Sequence, residues 1–160
     1  MTAYSTAEHV ALAEDLRRLV ASRVLDSVEI LLPVEPAHSA LRDRLRIDAE
    51  VWAAQLLGPD DRLAREVSAR LIAALYPGDT VFDPPADWWQ TPLGRITARR
   101  AGHPTEESVS FALAGAMLGI TRQGVHDLVR RGKLAGHSAG GVVADSIRDR
   151  LTRLHAPSAD

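Results

Sequence analysis

The chain has no cysteine. A disulfide scaffold, a thiolate zinc site, an iron–sulfur cluster and a cysteine nucleophile are thereby excluded. Aromatic residues are scarce, at 4% of 160 residues. No apolar run reaches the roughly 20 residues that a bilayer span needs. Met1 to Glu8 lack a basic stretch followed by an apolar core, so no secretory signal is expected. The six histidines are His9, His38, His103, His126, His137 and His155. They form neither an H-E-x-x-H pattern nor another close ligand pair with a carboxylate, so no metal site and no cofactor are expected. A Walker glycine loop and a G-x-S-x-G elbow are also missing. Glycine-rich Gly136 to Gly141 follows a helical segment and fits a turn better than a phosphate cradle. A non-enzyme with no catalytic residues is expected, in the cytoplasm by default.

What is present is an average globular composition, 46% hydrophobic and 25% charged. A core is expected, in one ordinary domain or two very small ones. The net charge of −2 hides an asymmetry. Residues 1–87 hold nine arginines against fifteen acidic residues, or −6; residues 88–160 hold ten basic against six acidic residues, or +4. Such a split points to different partners for the two parts.

The expected fold class is mainly α. Ser5-Thr6-Ala7-Glu8 has capping-box spacing, and Leu12, Leu16, Leu19 and Val20 follow at helical intervals. A second helix is predicted from about Ala37 to Leu57, with Leu41, Leu45, Trp52 and Leu56 along one side and Gly58-Pro59 ending it. A third starts near Asp60 and Asp61 and carries Leu63, Val67, Leu71 and Leu75. Val28 to Leu32 reads equally as a short strand or a buried helix end. Tyr76-Pro77-Gly78-Asp79 stops the third helix, and Asp83-Pro84-Pro85 cannot be regular structure. Residues 1–76 are therefore expected to form a helical oligomerisation or partner region. Residues 77–104 are expected to be a Pro/Trp linker and connecting helix, the latter capped at Thr91-Pro92. Trp88-Trp89 is either a partner-binding anchor or a pin holding the linker on the core. Arg99-Arg100 suits a negative helix end, or contacts phosphates. Residues 156–160 are a tail.

Residues 105–155 carry the functional reading. Ser110 caps a short helix from Phe111 to Leu118, and Gly119 permits the positive φ of a tight turn. Ile120 tucks under that turn. Thr121 caps a second helix, 121–131, that ends at Gly132. Two helices joined so closely need a small residue where they cross, and Gly115 stands there. Val125, Leu128, Leu118 and Ile120 are expected in the core. The outward side then shows Arg122, His126 and Arg130 at intervals of four, with Gln123 beside them.

This segment resembles the winged helix-turn-helix DNA-binding module of the excisionase and MerR-like families. The matching pieces are Leu118-Gly119-Ile120-Thr121 at the turn, Arg130-Arg131-Gly132-Lys133-Leu134 after the second helix, a short β-hairpin wing at Gly136 to Val143, and a closing helix capped at Asp145-Ser146. Departures are a short wing, Leu113, Gly124 inside the second helix, and Asp127 near the outward face. The resemblance implies that Thr121, Arg122, Gln123 and His126 lie at the major groove, where arginine grips guanine and glutamine adenine. It implies phosphate contacts for Arg130, Arg131 and Lys133, and backbone or minor-groove contacts for His137 and Ser138. The implied protein is a sequence-specific double-stranded DNA-binding regulator, a homodimer associated with the nucleoid. The alternative is an antitoxin or adaptor whose residues 1–90 bind a protein partner, with the DNA module used for autoregulation or protein contact.

Overall fold

The computed structural model describes residues 4–78 and 81–156. Asp79 of the helix-stopping tetrapeptide and residues 157–160 of the tail lie outside the described residues. The architecture is mainly α with a small antiparallel sheet. Two compact units divide between Pro77 and Gly78.

In the first unit, α1 spans Thr6–Val20, α2 Asp26–Leu31, α3 Glu35–Leu57 and α4 Asp61–Leu75. A π-helical turn, Ala21–Leu25, joins α1 to α2. Ser5 Oγ accepts from the Glu8 amide at 3.1 Å, and Asp60 caps α4 through the Leu63 amide at 3.0 Å. Leu12, Leu16 and Leu19 of α1 are buried, as are Leu45, Ala49, Ala53 and Leu56 of α3 and Val67, Leu71 and Leu75 of α4. Helix α3 packs against both α1 and α4. Each fully buried leucine stabilises by about 1.5–3 kcal/mol. Leu41, expected on the packed side of α3, is exposed instead.

Residues 28–32 are neither a strand nor a buried helix end. They lie in α2 and just beyond it, and Ile30 and Leu31 are 80% and 76% exposed. Charge holds α2 on α3: the Arg42 guanidinium donates to Glu29 at 2.6 Å and to Asp26 at 2.9 Å. Ile30, Leu31, Leu32 and Val34 are left facing outward.

The second unit takes in most of what was expected to be linker. A 3-10 turn, Ala86–Gln90, leads into α5, Pro92–Ala101. Trp88 and Trp89 are buried, with ring centroids 4.9 Å apart at 90°. Phe82 meets both rings edge-on, at 5.3 and 6.2 Å. The tryptophans are thus core, which favours the pinning role over an exposed anchor. Arg99 and Arg100 are buried too, so they are not placed to meet phosphates.

Next come β1 (Ser108–Val109), α6 (Phe111–Leu118), α7 (Arg122–Arg130), β2 (Val142–Val143) and α8 (Ala144–Leu154). Strand β1 pairs antiparallel with β2, and Gly136 bridges Val142 on the other side of β2. The 135–143 hairpin is therefore part of a small sheet. Helix α8 packs on α5. The expected cap at Asp145-Ser146 is absent, because α8 already begins at Ala144, with Val143 as its N-cap residue. Ser146 Oγ instead accepts from the Ala135 amide at 3.1 Å and donates to the Val143 carbonyl at 2.8 Å. It ties the closing helix to the hairpin.

Between α5 and β1, His103 is buried beside Trp89, with ring centroids 5.4 Å apart. Its Nδ1 accepts from the Thr105 and Glu106 amides, at 3.3 and 3.1 Å. Burial holds its pKa below the ordinary histidine value, against the opposing pull of Glu106 and Asp83. As pH falls below about 6.5, the unfolded chain binds this proton before the folded one does. Stability is therefore full above that value and falls until the depressed folded pKa is passed. Melting temperatures taken from pH 7.5 to pH 5.5 should decline more steeply in the wild type than in His103→Gln. Equal slopes would remove His103 as a contributor.

Among the described residues, no helix is long and apolar enough to cross a membrane, and no group of His, Asp and Glu is arranged to hold a metal ion.

Candidate nucleic-acid interface

Local chemistry sets the α6–α7 geometry. Ser110 Oγ accepts from the Leu113 amide and Thr121 Oγ1 from the Gly124 amide, both at 3.1 Å. Gly119 adopts φ +68° between the helices. The turn into α7 passes so close to α6 that a Cβ on Gly115 would lie 2.7 Å from the Ile120 carbonyl oxygen and 3.5 Å from the Arg122 amide nitrogen that opens α7. The helix ends in a Schellman arrangement: Gly132, at φ +67°, donates to Val129, and Lys133 donates to Leu128 at 2.8 Å. Each cap removes an orphan backbone group and fixes where α7 starts and stops. From outside the helix pair, Gln90 donates to the Ala116 carbonyl at 2.7 Å and packs against Gly119.

Val125 is fully buried, and Leu118 and Leu128 are half-buried. Ile120 departs from expectation: it is 41% exposed. Its side chain lies over Gly124, where a Cβ would meet Ile120 Cδ1 at 3.5 Å and Thr121 Oγ1 at 3.4 Å. Those are ordinary contact distances, so Gly124 carries only its helix-propensity penalty. Gly124→Ala is expected to raise stability by about 0.5–1 kcal/mol in urea unfolding. A loss of stability would mean that Ile120 cannot give way.

The outward face of α7 carries Arg122, Gln123, His126 and Arg130, all exposed, with Thr121 exposed at its start. Arg131, Lys133 and Ser138 are exposed as well. Gln123, His126, Asp127, Val129 and Arg130 line an open depression of about 460 Å³. Asp127 does not stand alone on this face. It accepts from Arg130 at 2.8 Å, a surface pair with little net worth that anions can outcompete. His137 is half-buried and used locally: its Nδ1 accepts from the Ala139 amide at 3.2 Å, and its backbone bonds to Gly140 and Gly141 close the hairpin turn.

Two features were not found from sequence. Strand β1 is one. The other is Phe111, which stacks on His126 with ring centroids 3.9 Å apart and planes 6° from parallel. The available signal was an aromatic residue directly after the Ser110 cap in a chain poor in aromatics.

No protein-family model matches the chain, and neither the curated proteins nor the solved structures give a match.

Proposed function

We propose that this chain is a sequence-specific double-stranded DNA-binding protein, a transcriptional regulator that reads the major groove with α7. The observation that carries the reading is the row of exposed hydrogen-bond donors on a helix held by its partner. Arg122, His126 and Arg130 recur every four residues with Gln123 beside them, while Val125 anchors the opposite side. Further support comes from the order of elements: helix, strand, two helices joined by a turn, then a hairpin completing a small sheet. That order is the one expected of a winged helix-turn-helix module. Thr121, Arg122, Gln123 and His126 lie toward the helix N-terminus, where base edges are read. Arg130, Arg131 and Lys133 suit phosphates, which position without specifying. Ser138, at the hairpin tip, suits the sugar-phosphate backbone. His137 is assigned to the turn first and to DNA second.

The first unit takes the partner role. Ile30, Leu31, Leu32 and Val34 form a run of exposed apolar residues, which suits homodimerisation, and two half-sites restore the affinity one small module lacks. The same surface favours the antitoxin or adaptor reading, in which the occupant is a different protein. A regulator of this kind acts in the cytoplasm at the nucleoid.

Selection of bound duplexes from a random pool tests the reading. A consensus should emerge, and Arg122→Ala should relax it at one base pair. Recovery of unenriched sequence would sink the proposal.

A further inference from the structure

Phe111 is the first residue of α6, and His126 lies in the middle of the outward face of α7. Their rings lie parallel at 3.9 Å. Phe111 is half-buried and His126 exposed. Among the described residues, neither ring nitrogen of His126 has a hydrogen-bond partner. One face of the imidazole is therefore occupied, and its polar edge is not. A flexible exposed side chain loses rotamer freedom when it is ordered on binding. A side chain already held by a neighbour loses less. The stack leaves the imidazole as a pre-set plate whose edge carries an N–H donor.

We propose that Phe111 is a positioning residue for base recognition, holding the His126 imidazole so that its N–H donates to the N7 of a purine in the major groove. The inference rests on the reading of α7 as the groove-facing helix, and it adds a residue that does not itself touch DNA. Purine N7 is the acceptor that both guanine and adenine show in that groove. Arg122 and Gln123 precede His126 by about one turn, so His126 meets a base pair beside theirs.

The test uses the full chain and the duplex recovered by selection. Each purine of that site is replaced in turn by its 7-deaza analogue, which removes the acceptor and keeps base pairing. In the wild type, one position should lose affinity by about three- to tenfold, the scale of a single hydrogen bond. His126→Ala should abolish sensitivity at that position alone. Phe111→Leu should abolish it too, whereas Phe111→Tyr, which keeps the ring, should restore it. The salt slope should be the same in all four proteins, because the phosphate-facing side chains are untouched.

Proton NMR of the free proteins shows the stack independently: ring current should shift the His126 ring protons upfield in the wild type and in Phe111→Tyr, but not in Phe111→Leu. Phe111→Leu with the wild-type 7-deaza penalty overturns the inference while leaving DNA reading intact. A His126→Ala protein that keeps the penalty overturns the assignment of His126 to N7. Failure to select any duplex overturns the DNA reading and this inference together.

Discussion

Replacing Gly94 with alanine should unfold the packing around Trp88 and Trp89. A Cβ at that position would stand 2.1 Å from the Trp88 carbonyl oxygen and 2.8 Å from the Trp89 Cα. Both are backbone atoms, so no flexible side-chain end can yield. The Trp88 carbonyl is held in place: it accepts from the Thr91 hydroxyl at 2.6 Å, and that hydroxyl accepts from the Gly94 amide at 3.1 Å. Relieving the clash means shifting the 86–90 turn, and with it Trp89, which is fully buried. Overpacking costs about 1–3 kcal/mol where side chains can adjust. Here backbone must move and a buried tryptophan loses its seat, so about 3–5 kcal/mol is expected, near the cost of truncating a buried aromatic. For a unit of this size, that lowers the melting temperature by more than about 10 °C. Near-UV circular dichroism and tryptophan fluorescence report it, since Trp88 and Trp89 are two of three tryptophans in the chain. A melting temperature within about 2 °C of wild type would contradict the close approach at Gly94.

The second large effect is on binding. Arg130, Arg131 and Lys133 are exposed at and beyond the end of α7. Arg130 shares its charge with Asp127, and Arg131 and Lys133 follow at the helix terminus. Their combined replacement by alanine should weaken duplex binding by about two orders of magnitude, at roughly 1 kcal/mol for each lost hydrogen bond. Selectivity between duplexes should survive, because phosphate contacts carry no sequence information. The plot of log K against log salt should become shallower by about 2.7, roughly 0.9 for each phosphate that is no longer neutralised. An unchanged slope would place the phosphates elsewhere on the protein. Fold is not at risk in this variant, since all three side chains are outside the core.

Where local chemistry decides structure, the amino-acid sequence was legible. The caps at Ser5, Thr91, Ser110 and Thr121 all form. So do the left-handed Gly119 and the close crossing at Gly115. Each depends on a residue and its neighbours within about four positions. The outward row on α7 was readable for the same reason, since helical spacing alone puts Arg122, His126 and Arg130 on one side. What escaped depends on distant residues. Strand β1 is two residues long, too short for any alternation to register. Its partner is more than thirty residues away. Ile30 and Leu31 face outward, while Arg42 grips Glu29 and Asp26 across two helices. Apolar composition alone had suggested burial. Prolines marked this stretch as connection, yet residues 86–90 form a 3-10 turn whose two tryptophans enter a core. Ser146 looked like a cap and instead bridges α8 to the hairpin, because Ala135 offers its amide. In the candidate site, exposure was legible and the Phe111 stack was not, since fifteen residues separate its partners.

The most direct test of DNA reading by α7 is fluorescence anisotropy with a labelled duplex from the region upstream of the protein's own gene, beside a scrambled duplex, at several salt concentrations. Wild type should bind the upstream duplex more tightly, with affinity falling steeply as salt rises. Arg122→Ala should narrow the gap between the two duplexes by about 1–3 kcal/mol, the worth of the arginine's grip on one base edge. No binding to either duplex at low salt would contradict the account and turn attention to Ile30, Leu31 and Leu32 as the seat of a protein partner.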